Sequence, residues 1–507
     1  MVRMMEKDKY VFFDRSMLVE TKGIRERCRE EYLQKELARR FPEEKFRVAG
    51  VCINETGRYK RCQNLPAYCE VVLEVESGGF PEEIIIWSPL AWNGRFAGTG
   101  TATGGRQYMT PPDNTVRGWT VPYAVSNGFT AATADAQNVH GLKDKMLDPK
   151  TGEFRWELYE NWRGRTTHHM TVFGRAVAEI LHKRGVAYAY MNGGSGGGRQ
   201  SMVEAQEYPD DYDGIWASCP AVNWNRFLPQ GLWAIAVMNS LKHVLSPGKI
   251  RFFTESVWKS AGGREAYFHR EERTMFDPFS LTGERVGKEQ ITDEDALVMQ
   301  KIWEGPKNAA GERLWFGFRP GAVFWNVGIP VGAFYYSLIR KRPKPFFLSV
   351  SYLRWVTGSR KQKFDDITME EYEDLFAASS EKFAGAAADK ADLSAFADHG
   401  GRLIIDHGLN DPLIPVDGTI DYFSRLYNQM GPEKAEEFCR LYLTPGDGHG
   451  NCWCEGPGLT ESAGLQALMQ WVEEGRAPVA LRAVRVDKKS GRLLEETLRE
   501  PVKEQSA

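Results

Sequence analysis

Apolar residues in this chain fall into short runs separated by glycine and polar turns. Between about 48 and 224, segments such as EEIIIWSPL, VPYAVSNGFTAATAD and VAYAYMN alternate with TVFGRAVAEILHKR, whose apolar positions recur at helical spacing. Strands and helices in alternation predict a mainly parallel sheet with helices packed on it. From 225 to 391 that rhythm stops, and aromatic and basic clusters take over, as in ERLWFGFRPGAVFWNVG and FYYSLIRKRPKPFFLSVSYLRW. At Gly400 the rhythm resumes: GGRLIIDHGLNDPLIP reads as strand and turn, VDGTIDYFSRLYNQM as a helix, and EEFCRLYLTPG as another strand. The pattern predicts one α/β domain formed by residues 1–224 and 392–507, interrupted by an inserted domain at 225–391.

Composition narrows the partners. The chain has 507 residues, 42% hydrophobic and 12% aromatic, and a formal net charge of -3. That balance gives no field for nucleic acid or an anionic membrane, so the expected partner is a small molecule. No apolar run approaches the roughly 20 residues that span a bilayer. The first residues, MVRMMEKDKYVFFDRSMLVE, lack the features of a secretory leader, and the eight cysteines do not form a disulfide framework. Both features lead to the expectation of a cytoplasmic protein with reduced thiols.

One serine stands inside a glycine run, YAYMNGGSGGGRQSMVEAQEY, between a strand pattern and a helix pattern. Gly193, Gly194, Ser195, Gly196 and Gly197 satisfy G-x-S-x-G, the pattern of a nucleophile elbow. A tight strand-to-helix turn forces its central residue into a strained conformation, and neighbours without a Cβ let the backbone close around it. Gly193 and Gly198 also have phosphate-loop spacing, but Arg199 and Gln200 follow where that loop needs Lys and Ser or Thr. A purely structural glycine turn is the remaining alternative on this stretch alone.

The downstream sequence favours the elbow. The order required on this architecture is serine, acid, histidine. In LIIDHGLNDPLIP, Asp411 lies in a loop past a predicted strand, and in RLYLTPGDGHGN, His449 lies in a loop past the next. Asp406 falls within or at the end of its strand, Asp417 reads as a helix cap, Asp447 as turn support and His407 as a structural histidine. The oxyanion donors expected are the backbone N–H of Gly196 and one from RFAGTGTATGG, with Gly100 first and Gly98 or Thr99 as alternatives.

These segments resemble the tannase and feruloyl esterase family of α/β-hydrolases. The likeness is carried by GGSGGGRQSMVEAQEYPDDYDGIWASCPAVNW, HGLNDPLIPVDGTIDYF and FCRLYLTPGDGHG, with weaker matches including AWNGRFAGTG, ITDEDALVMQKIWEG and WVEEGRAPV. The resemblance implies an α/β-hydrolase fold with an inserted lid at 225–391, and a triad of Ser195 as nucleophile, Asp411 as acid and His449 as base. It implies galloyl, feruloyl or related aromatic esters as substrates, with no cofactor; the residues themselves fit a small aliphatic ester as well. In most relatives the residue before the serine and the one after the histidine are cysteines joined in a disulfide, whereas here they are Gly194 and Gly450. The lid of secreted relatives often carries an aspartate-rich calcium loop, and ESVWKSAGGREAYFHREERTMFD does not have that pattern.

Within the insert, Trp315, Phe318, Phe324, Trp325, Tyr335, Tyr336 and Trp355 are candidates to line a pocket for an aromatic acyl group, or form the insert's own core. Arg313, Arg319 and Arg354 are candidates to hold a carboxylate or phenolic oxygen. A reading from another class is a metal-binding or redox module built on His449, Cys452 and Cys454, whose H-x-x-C-x-C spacing supplies soft ligands but no clear fourth partner.

Overall fold

A computed structural model describes residues 12–55, 57–59, 62–63, 65–100, 120–135, 145–328, 332–340, 342–449, 456–487 and 492–503. Its centre is a nine-stranded sheet: β1 (Phe46–Asn54), β2 (Tyr68–Ser77), β3 (Phe80–Pro89), β4 (Arg95–Thr99), β5 (Thr130–Asp135), β6 (Tyr188–Gly194), β7 (Gly214–Ser218), β8 (Arg402–Gly408) and β9 (Cys439–Thr444). The spatial order is β1-β2-β3-β5-β4-β6-β7-β8-β9. The first three strands run antiparallel to their neighbours, and every pairing from β5 through β9 is parallel.

The parallel strands are apolar on both faces because both faces are covered. Ala189, Met191, Ile215, Ala217, Leu403, Ile405 and Leu441 point into one core with the helices α1 (Thr166–His182), α2 (Gly196–Glu207) and α3 (Val416–Met430). Their sequence neighbours Tyr190, Trp216, Ile404 and Tyr442 point the other way, against Leu465, Leu468 and Trp471 of α4 (Glu461–Glu474). This period of two turns a continuous apolar run into two packed layers.

A third core lies outside the sheet. It gathers Trp233, Phe253, Trp303, Trp315, Phe318, Phe324, Trp325, Tyr352 and Trp355 from the middle of the chain with Leu158, Tyr159, Trp162, Ala221 and Ile414 from the flanking segments. Helices Pro247–Ser260, Asp293–Glu304, Phe347–Thr357 and Met369–Lys382 form most of this layer. Thr292 and Thr368 start two of them with capping boxes closed by Asp295 and Glu371. Polar contacts tie the layer to the sheet domain: Asp417, in the first turn of α3, pairs with Arg319 at 3.0 Å and Arg273 at 2.9 Å, and the Tyr267 hydroxyl lies 2.7 Å from Asn410 Oδ1. Asp417 therefore does not cap its helix, whose N-cap is Pro415, but anchors the insert. No helix among the described residues is long and apolar enough to cross a membrane.

Candidate active site

The carboxyl ends of four adjacent strands are brought level by register. Gly194 of β6 and Asp406 of β8 both pair with Ser218 of β7, and Gly408 of β8 pairs with Thr444 of β9. The loops that leave these ends carry Ser195, Cys219, Asp411 and His449.

Ser195 sits between β6 and α2 with φ 61° and ψ -121°, a conformation uncommon for any residue with a Cβ. Such a residue carries about 1–3 kcal/mol of strain and persists only where its surroundings over-determine it. They do so here. The Ser195 N–H donates to Ser218 O (3.0 Å), and its carbonyl accepts from Ala221 N and Arg199 N, each at 3.0 Å. The glycines permit the closure. A Cβ on Gly193 would stand 2.4 Å from Gly197 O, one on Gly197 2.6 Å from Gly100 O, and one on Gly198 2.7 Å from Ser218 O. Ser195 and Gly196 are partly exposed, while Gly193, Gly194, Gly197 and Gly198 are buried, so the turn presents only its central edge.

Asp411 is buried and accepts four hydrogen bonds. Its Oδ1 takes the backbone N–H groups of Leu413 (2.8 Å) and Ile414 (2.9 Å), and its Oδ2 takes His449 Nδ1 (2.7 Å) and His407 Nε2 (3.0 Å). Each bond to a charged group contributes about 1.5–3 kcal/mol, enough together to offset the cost of burying the charge. Burial works against the carboxylate, yet the His449 charge beside it and the bonds from His407 and His449 hold it well below the usual range. The network also fixes tautomers: with Nδ1–H donated to Asp411, His449 keeps Nε2 as the basic nitrogen. Burial opposes charge on His449, but Asp411 and then Cys219 beside it raise it well above the ordinary histidine value.

His407 was expected to be structural. It is buried in β8, but its Nδ1 meets Thr419 Oγ1 at 2.8 Å and its Nε2 holds Asp411, so it orients the acid. The rivals to Asp411 have other tasks: Asp406 accepts the Trp216 indole N–H at 2.6 Å, and Asp447 lies 3.2 Å from the Thr444 hydroxyl. Gly408 lets the acid and histidine loops touch, since a Cβ there would stand 2.4 Å from Gly448 O.

One expected oxyanion donor changes. The Gly100 N–H donates to Asn192 O at 2.9 Å, extending the strand ladder, and Gly98 and Thr99 lie inside β4, paired with Met191 and Asn192. Gly100 is a glycine because of its contact with Gly197, and its N–H is already committed. The rest of that loop, 101–119, lies outside the described residues, as do Gly450, Cys452 and Cys454.

The insert's candidates separate. Phe318 is buried and stacks on Phe324 with centroids 5.1 Å apart, and Trp325 is buried in the strand Trp325–Val327, so both belong to the core. Tyr336 is half-buried in the strand Phe334–Ser337. Arg313 is exposed over the Phe316 ring, Arg319 is taken by Asp417, and the Arg354 Nε donates to Gln362 O. Trp315 is buried in the same core and also reaches α3, where a Cβ on Gly418 would stand 2.7 Å from its Cζ2.

The strand order, the strained serine turn at the carboxyl edge and an acid and histidine on the following loops define an α/β-hydrolase. The profile described as Tannase and feruloyl esterase matches residues 69–499, and the chain belongs to that family of carboxylic ester hydrolases. It is 34% identical over 447 residues to a probable feruloyl esterase of Arthroderma benhamiae, covering 83% of this chain and 79% of that one. Its fold is similar to that of tannin acyl hydrolase from Aspergillus niger, with a TM-score of 0.76, 19% identity, and 96% and 97% of the two chains covered. It is similar also to feruloyl esterase B from Aspergillus oryzae, with a TM-score of 0.72, 18% identity, and 92% and 95% covered.

Proposed function

We propose that this hydrolase cleaves phenolic esters, of the feruloyl or galloyl kind, through an acyl-enzyme on Ser195. His449 Nε2 takes the serine proton as the hydroxyl attacks the ester carbonyl, and Asp411 stabilises the imidazolium. His449 then returns the proton to the leaving alcohol, and water repeats the sequence to release the acid. The N–H of Gly196, at the start of α2, is one donor to the oxyanion. The observation that carries the reading is the Asp411–His449 bond of 2.7 Å, on loops that leave the same sheet edge as a serine whose φ is 61°. The names of the relatives supply the phenolic class, and Trp315 is our candidate to stack on the acyl ring.

The test is active-site labelling with a fluorophosphonate, read with turnover of methyl ferulate, methyl gallate and a 4-nitrophenyl acetate control. Label on Ser195 and a preference for the phenolic esters are expected. Label elsewhere, with full turnover by Ser195→Ala, would sink the nucleophile; a preference for acetate would move the substrate to small aliphatic esters. We also infer action in a reducing compartment, supported by Gly194 in place of the disulfide cysteine of relatives. Undiminished activity in strong reductant is expected, and inactivation would count against it.

A further inference from the structure

Beside the proposed triad lies a thiol that the reaction does not use. Cys219 follows β7, is buried with 3% exposure, and is a free cysteine. Its Sγ, an oxygen of Asp411 and a ring nitrogen of His449 all lie within 4.8 Å of one another. The backbone fixes the direction of the thiol: Cys219 has φ 34°, its N–H donates to Asp406 O at 2.6 Å, and Pro220 follows it.

From this juxtaposition we infer that Cys219, His449 and Asp411 form an inhibitory site for Zn²⁺. Thiolate, imidazole and carboxylate together match the ligand preference of a borderline-soft divalent ion, where an all-oxygen set would suit calcium or magnesium. Tetrahedral zinc places its ligand atoms about 3.5 Å apart, so the ion replaces the His449 Nδ1–Asp411 bond and spreads that pair from 2.7 Å, while the thiol, no more than 4.8 Å from either donor, closes on it and water takes the open fourth position. Binding displaces the Cys219 thiol proton to solvent, and the His449 Nδ1 proton passes to Nε2 as the ion takes Nδ1. The other Asp411 oxygen, Oδ1, keeps its bonds from the Leu413 and Ile414 N–H groups and holds the carboxylate in place as the ion enters. A metal-bound His449 cannot take a proton from Ser195, so the ion stops turnover reversibly.

The site is read without relying on the esterase mechanism. Co²⁺ added to the full-length Ser195→Ala protein is expected to give a sulfur-to-cobalt charge-transfer band, lost when Cys219→Ser is added and kept when Cys452→Ser and Cys454→Ser are added. On the active enzyme, Zn²⁺ inhibition reversed by chelator is expected, with the midpoint raised at least about tenfold in Cys219→Ser. Because Cys219 has a positive φ, Cys219→Gly is the second variant; it accepts that backbone without strain and is expected to show the same shift. An absent thiolate band, a band that follows Cys452 or Cys454 instead, or an unchanged zinc midpoint in both Cys219 variants would overturn the proposal. Loss of the esterase reading would appear separately, as turnover surviving Ser195→Ala.

Discussion

The carboxyl edge of the sheet and the inserted aromatic layer hold their shapes by different means. At the edge, main chain meets main chain: Gly193 and Gly100 each touch Gly197, and Gly408 touches Gly448. In the insert, ring meets ring: Phe318 stacks on Phe324, Trp315 meets Phe316 at 5.0 Å, and Trp355 meets Tyr352 at 5.5 Å. Backbone contacts have no rotamers with which to absorb an added atom, whereas packed side chains can shift and refill. The edge is therefore built for position, and the insert for volume.

The largest expected effect lies at the edge. Ser195→Ala should lower kcat/KM by roughly 10⁵ or more with a nearly unchanged melting temperature, since the hydroxyl serves chemistry and the bonds that hold the turn are backbone. Wild-type turnover in that variant would remove the edge's claim to the reaction. Asp411→Asn comes next, at about 10⁴ in kcat, because an amide that accepts from both histidines turns its NH2 onto the Leu413 and Ile414 N–H groups, and turned the other way it donates to His449 and forces the wrong tautomer. Asp406→Asn, which disturbs the Trp216 contact, should act on stability instead. A greater turnover loss at Asp406 than at Asp411 would relocate the acid.

A third experiment contrasts the two regions directly. Gly197→Ala adds one methyl where 2.6 Å separates it from the Gly100 carbonyl oxygen, and should cost about 3 kcal/mol by chemical denaturation. Phe318→Leu removes several atoms from the insert's core yet should cost less, about 1.5 kcal/mol, with kcat retained. A reversed ranking would show that the aromatic layer is the more exacting of the two. The smallest effect is one of pH. His449 must be neutral to act as base, and its affinity for a proton is raised by Asp411, so kcat/KM should climb with pH through a limb above the ordinary histidine value. A limb at or below that value in a pH–rate profile would show that burial outweighs Asp411.

Much of this site was legible in the sequence because chemistry and periodicity coincided there. GGSGGG between a strand pattern and a helix pattern allowed few readings, and Asp411 and His449 lay in loops just past apolar runs in the required order. What stayed hidden depended on contacts between distant segments. Nothing in DHG announced that the His407 ring turns back onto Asp411 four residues on, or in DGT that Asp417 reaches arginines 144 and 98 residues earlier. Cys219 gave no signal either, since SCPA reads as an ordinary strand end until the level of β7 beside β6 and β8 is known. Gly100 misled for a related reason: the loop glycine expected to donate to a substrate is one that two backbones need in order to meet. Among the insert's aromatics, composition identified a cluster but not that Trp315, in the same core as Phe318, also packs against Gly418 of α3.

The bonds around Asp411 also favour one order of assembly. Three of its four donors come from residues within four positions in the chain, and the fourth, His449, comes from 38 positions further on. The acid loop can thus fold around its own anion before β9 is in place, using contacts with little loop-closure cost. The late-arriving imidazole then docks on a charge already held in a dry, fixed cradle. Completion of the proposed triad is in that sense the capture of a single ring, and on that proposal a chain halted short of this step would be nearly complete in shape and silent in activity.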